Sequence, residues 1–148
     1  MNESVIQTQI RLIAFKAVNV EFSCKANLNK GESKQRFNLQ LRDFVFNDSP
    51  THFAKVFLID LATPSSDNSE TIHFKVEYHT VFECSSSIDA KFLETEFAKI
   101  SAPAIGFPYV RAFMSTLSIQ AGLPPIILPS INFIQFSKEL EKEKAEKK

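Results

Sequence analysis

Tryptophan is absent from this chain of 148 residues, and glycine occurs only three times. None of the glycines sits in a G-x-G-x-x-G or P-loop arrangement, so nothing brings a run of backbone N–H groups up to a phosphate, and nucleotide binding is not expected. Net charge is missing as well. Seventeen basic side chains balance seventeen acidic ones, which removes the electrostatic case for nucleic acid. A membrane-spanning helix needs a run of about eighteen apolar residues, and no such run exists. The opening, MNESVIQTQIRLIAF, carries neither the basic start nor the continuous apolar core of a signal peptide. A cytoplasmic protein without membrane insertion is the expectation. Cys24 and Cys84 have no paired spacing, which fits a reducing compartment with both as inert packing residues.

Catalytic and metal-binding patterns are equally scarce. His73 and His79 fall on one strand face but about 20 Å apart at roughly 3.3 Å per residue, too far to share a metal. Glu77 and His79, about 7 Å apart on that face, half-build a site; two solvated polar side chains are the simpler reading. His52 reads as a surface residue. There is no G-x-S-x-G elbow and no H-E-x-x-H zinc motif, and no basic neighbour is predicted to draw a thiolate from either cysteine. No catalytic residue, cofactor or metal is expected, and the chain reads as a non-enzyme.

What the chain has in excess is phenylalanine, fifteen residues of 148. So many apolar rings exceed what one domain of this length has to hide, and some are expected to meet a partner. The length suits a single domain, 1–148, with 138–148 as a charged helix end or tail. From Ile6 through Thr8, Ile10 and onward to Phe22 the even positions keep a nearly clean period of two, which predicts one strand with a bulge or two strands. Asn29-Lys30-Gly31-Glu32 marks a turn. Phe37, Leu39 and Leu41 then alternate with polar neighbours, and a slip near Arg42-Asp43 carries Phe44 and Phe46 onto a shifted register. His52 to Thr63 is apolar on both alternating sets, as in a strand covered on both faces. After the Pro64–Ser69 loop signal, Ile72, Phe74, Val76, Tyr78, Thr80, Phe82 and Cys84 form a buried face, and the intervening residues a wet one.

Four strands in succession with short connections predict an antiparallel meander whose first and last strands are open edges. Asp89 and the serines before it cap a short helix carrying Phe92, Leu93, Phe97 and Ile100, ended by Pro103. A helix of about four turns follows, with Pro108 in its first turn and Gly122 just past its end, presenting Val110, Phe113, Met114, Leu117 and Ala121 on one face. The last helix carries Phe133, Phe136 and Leu140. The fold class is α+β: a four-stranded antiparallel sheet with two or three helices packed on one side. Its open edges and spare apolar surface predict self-association.

Between the last two helices, Leu123 to Pro129 is apolar with neither period, stiffened by Pro124, Pro125 and Pro129. Connections normally run polar over a surface, so this one wants an apolar neighbour. An apolar groove is expected between this lid and the sheet edge. Its client-binding residues would be Phe37, Leu39 and Leu41 on the strand, Leu123, Ile126, Leu128 and Ile131 on the crossover, and Phe133, Phe136 and Leu140 on the last helix. Because hydrophobic contact is non-directional, such a trough suits unfolded polypeptide of many sequences. The competing reading keeps the same core but gives the groove one fixed protein partner or a hydrophobic small ligand.

Phe107-Pro108-Tyr109-Val110-Arg111 entering a helix, Gly122 closing it, the proline-containing crossover and Ile131-Asn132-Phe133 opening a final helix resemble the SecB family of export chaperones. The resemblance implies an ATP-independent holdase for unfolded clients, tetramers built as paired dimers, and delivery to the SecA motor. In that family acidic residues on the exposed sheet face meet SecA, and Glu21 matches one such position. Ala17 and Lys75 stand where two others are expected, and a cation for an anion reverses that local interaction. The Lys/Glu tail from Lys138 also departs from the family's acidic or glutamine-rich one. Relatives dedicated to a single client, including those that guard an antitoxin, fit the same residues.

Overall fold

The computed structural model describes residues 10–27 and 35–146. The strands are β1 (Ile10–Ala26), β2 (Arg36–Val45), β3 (His52–Pro64) and β4 (Glu70–Cys84). A short helix α1 (Ala90–Leu93) and a π-helical turn (Phe97–Ser101) lead into α2 (Ala102–Gln120), and α3 (Phe133–Glu146) ends the described chain. The positions Ile6 and Thr8 of the first strand signal and the Asn29–Glu32 turn lie outside the described residues.

The sheet is four-stranded and antiparallel throughout, in the order β1-β4-β3-β2. It is therefore not a meander. β1 pairs with β4, and the open edges belong to β1 and β2. The reason is visible in the turns. Each hairpin is fixed locally, β2 to β3 through the 46–51 turn and β3 to β4 through a turn built on Asp67. Its carboxylate accepts from Ser65 Oγ at 2.9 Å, Ser69 N at 3.0 Å and Ser69 Oγ at 2.6 Å, and Asn68 takes a left-handed φ of 58°. β1 pairs antiparallel with β4 along its whole length, from Ile10 opposite Cys84 to Ala26 opposite Glu70.

β4 fulfils its alternation: every even residue from Ile72 to Cys84 is buried under the helices. β1 does not keep one phase. Register shifts between Leu12 and Ala14 and between Ala17 and Asn19 place Ala17 opposite Tyr78 on the helix side, while Lys16 and Glu21 face outward opposite His79 and Lys75. β2 shows the converse. Its register runs unbroken from Arg36 to Val45, so there is no slip at Arg42-Asp43. Phe44 stays on the outer face, and Asp43 takes a helix-side position where it meets the buried Lys55 Nζ at 2.7 Å. That ion pair explains how a lysine sits in an otherwise apolar central strand: a buried charge needs a partner close at hand.

The helices differ from expectation at their prolines. Pro103 does not stop a helix; it occupies the first turn of α2, where a missing N–H costs nothing, and Pro108 lies inside the helix. The bond that Pro108 forgoes, to Ala104, falls on the exposed side. Gly106 explains why α2 lies so close to the sheet: a β-carbon there would come within 2.8 Å of Thr80 Oγ1 and 3.1 Å of Phe57 Cε2. Gly122 closes the helix at φ 84°, with Gly122 N donating to Ile119 O and Leu123 N to Ser118 O, the paired bonds of a Schellman motif. The main core joins Phe57, Phe74, Tyr78, Val110 and Met114, and a second cluster gathers Phe53, Phe82 and Ala102 against Phe92 and Phe97. Cys84 packs into this second cluster. Cys24 does not pack: it is exposed on β1 with its thiol bonded to Glu70, whose carboxylate raises its pKa.

Candidate polypeptide-binding groove

β2 is an edge strand, and α3 runs beside it. Between them lies a groove of about 520 Å³ with Leu39, Leu41, Phe136 and Leu140 along it and Asn38, Gln40, Arg42, Glu139 and Glu143 at its margins. The polar margins follow from the edge position, because both alternating sets of an unpaired strand border the same space. A smaller hollow of about 110 Å³ shares Leu41, Arg42 and Leu140 and extends toward Lys55, Glu94, Lys99 and Glu141. There Lys99 reaches Glu94 at 2.7 Å and Glu141 at 3.3 Å, tying α3 to the segment before α2. The Glu94 contact holds the Lys99 ammonium above its usual pKa and the Glu94 carboxyl below its own.

The crossover is held by two serines of α2. Ser115 Oγ donates to Ile126 O at 2.7 Å, and Ile126 N donates to Ser118 Oγ at 2.8 Å. These bonds satisfy both backbone groups of Ile126 and turn Leu128 inward, where it is 1% exposed, while Ile127 faces out at 73%. Asn132 Oδ1 then accepts from Ile134 N and Gln135 N and caps α3.

Of the ten residues assigned to the client path, Leu39, Leu41, Phe136 and Leu140 line the groove. Phe37, Leu123, Ile126 and Ile131 are half-buried against the same apolar cluster, and Leu128 and Phe133 are buried within it. The structure thus gathers all of the set but Leu140 around one cluster and divides it into groove wall and supporting core, with Leu39 buried at the boundary of the two. Sequence reasoning passed over Arg42, Glu139, Glu143, the Lys99 clasp and the Ser115/Ser118 pair. Only the last carries a local signal: two serines three apart in an apolar helix, each placed to answer backbone beyond Gly122.

On the outer face, Glu21 stands opposite Lys75, which is in turn opposite Asp60, around a polar hollow of about 240 Å³. Asp60 is held below the usual carboxylate range by His73 at 2.7 Å, aided by Arg36 at 3.2 Å. Ala17 is not on that face at all. His79 bonds Glu77 at 2.9 Å, and His52 bonds Glu83 at 3.2 Å. Among the described residues no group of three metal-ligating side chains is assembled, and no helix is long and apolar enough to cross a membrane.

Sheet, one-sided helices and a groove along the β2 edge define an α+β architecture. A family model described as SecB, preprotein translocase subunit SecB, matches residues 2–144. The chain belongs to the SecB family of export chaperones. It is 31% identical over 130 residues to the uncharacterized protein MJ0357 of Methanocaldococcus jannaschii, covering 86% of this chain and 82% of that protein. Against the protein-export protein SecB of Magnetococcus marinus it is 23% identical over 141 residues, covering 95% and 85%. The fold is shared with the Mycobacterium tuberculosis Rv1957 SecB-like chaperone, solved in complex with a ChAD peptide from the Rv1956 HigA1 antitoxin. That comparison has a TM-score of 0.64 at 13% identity and covers 83% of this chain and 91% of the other.

Proposed function

We propose that this protein is an ATP-independent holdase that takes non-native polypeptide into the groove between β2 and α3. The observation that carries the reading is a half-buried apolar wall of Leu41, Phe136 and Leu140, with the buried Leu39 at its foot, beside an unpaired strand edge. Burying one large apolar side chain there is worth roughly 1.5–3 kcal/mol, so a short segment is held weakly. The edge of β2 adds backbone partners that ask nothing of the client's sequence. Phe37, Leu123, Ile126 and Ile131 widen the apolar path, and Leu128 and Phe133 support it from within.

Weak sites become a firm hold when several engage one chain, which requires an oligomer. β1 offers the surface for one: Ile13, Val20 and Phe22 are exposed along an edge strand. A tetramer of paired dimers is the assembly we assign. Holding the unfolded state delays folding by mass action and fits export in the cytoplasm. Delivery to SecA through an acidic sheet face is the weaker part, because Lys75 stands between Glu21 and Asp60. That substitution favours, as a second reading, a chaperone dedicated to one partner, in the manner of the SecB-like protein bound to an antitoxin peptide.

Light scattering of two unrelated unfolding proteins tests the first reading. The intact protein suppresses aggregation of both, and Phe136→Ser with Leu140→Ser loses most of that suppression while keeping the oligomer mass. Suppression of neither protein by the intact oligomer contradicts the holdase reading, and undiminished suppression by the variant contradicts the groove.

A further inference from the structure

The outer face of the sheet has two unlike ends. Around Glu21, Lys75 and Asp60 it is polar. At the other end a hollow of about 500 Å³ opens among Ala14, Val18, Phe44, Phe46 and Val81. Phe44 and Val18 are 49% and 48% exposed there, an unusual amount of apolar surface for a sheet face turned away from its helices.

The charges around this hollow say what fits it. Sheet register aligns Lys16 with His79, His79 with Val56 and Val56 with Arg42, so one row across the face puts a cation at each side. Neither Lys16 nor Arg42 takes part in the ion pairs among the described residues. The neighbouring carboxylates are engaged: Glu77 with His79 at 2.9 Å, and Glu83 with Arg11 at 3.0 Å and His52 at 3.2 Å. An apolar hollow flanked by cations outside those ion pairs complements an apolar anchor between carboxylates. Two cations are too few for a nucleic-acid backbone.

We propose that this end of the outer face docks an acidic protein segment, with an aromatic or aliphatic anchor beside Phe44 and Val81 and Asp or Glu neighbours reaching Lys16 and Arg42. The hollow lies across the sheet from the groove, and of the residues invoked only Arg42 stands at both. The inference is independent of the holdase reading.

Fluorescence anisotropy of the full-length protein with three short labelled peptides tests it. Each has a central phenylalanine-leucine pair, flanked by glutamates, serines or lysines. The glutamate peptide is expected to bind about fivefold more tightly than the serine peptide, with the lysine peptide weakest and the gap narrowing as salt rises. Arg42 also borders the groove, so charge is tested at Lys16: Lys16→Glu removes or inverts the preference. Phe44→Ser weakens the glutamate peptide, and Phe136→Ser with Leu140→Ser leaves it unchanged. Equal binding of glutamate and lysine peptides, a preference that survives Lys16→Glu, or loss of binding in the groove variant would each overturn the assignment. So would sedimentation showing that Phe44→Ser lowers the oligomer mass, since the hollow is then filled by a second copy.

Discussion

Phe22 on β1 and Phe74 on β4 face each other across neighbouring strands with ring centroids 5.0 Å apart, yet Phe74 is wholly buried and Phe22 is 45% exposed. Same residue type, same face, same pairing: the difference is that β4 has a strand on either side and α2 above, whereas β1 ends the sheet. Apolar residues on β4 hold the protomer together. Those on β1 and on the margin of β2 are left for something else to cover. In this protein the sheet's centre makes the fold, and its two edges carry the surfaces to which the proposed function is assigned.

The sharpest break of the symmetry is to truncate each ring in turn. Phe74→Ala should cost about 3–5 kcal/mol in urea unfolding, because the cavity cannot collapse between two strands and a helix. Phe22→Ala should cost about 1 kcal/mol or less, and lower the oligomer mass in sedimentation instead. Equal destabilisation by the two would end the division between centre and edge.

A milder effect tests how α2 closes over β4. In Gly106→Ala the new methyl group meets Thr80, whose hydroxyl is buried and donates to Lys55 O at 3.1 Å. That side chain has no room to turn. Overpacking should destabilise by roughly 1–3 kcal/mol and outweigh the gain in helix propensity, a balance that thermal unfolding reads directly. A stabilised variant would mean that α2 can lift off the sheet.

The smallest effect concerns the turn that starts β4. Bonds from Ser69 and Ser65 pull the Asp67 pKa from 3.8 to about 2. A depressed carboxyl contributes stability above its unfolded value and loses it as pH falls through the folded one. The advantage of the intact protein over Asp67→Asn should therefore be full above pH about 4 and fade toward pH 2, as acid titration of both proteins would show.

The centre of the sheet was far more legible in the sequence than its edges. β4 declares itself because burial on one face leaves a strict period of two, and the 64–69 turn punctuates it with residues that demand a turn. The place of β1 was hidden because pairing between strands far apart in sequence leaves no local mark, and because bulges exchange its faces midway. Phe44 misled for the opposite reason: an exposed ring on the outer face looks like a change of register. At α2 the rule for proline was sound, but two prolines five residues apart both satisfied it, and only the π-helical turn feeding the helix decides for Pro103. The groove's apolar residues were readable from spacing; which of them face the opening and which support it depends on how the crossover is tied to Ser115 and Ser118.

Photocrosslinking from single sites on the assembled protein, with an unfolded client held under non-aggregating conditions, tests the account most directly. A probe at Phe136 or Leu140 is predicted to capture the client in high yield, and one at Phe22 or Phe44 to capture little. Strong capture at the outer face or the β1 edge, with none at Phe136, would place the client somewhere other than the groove beside β2.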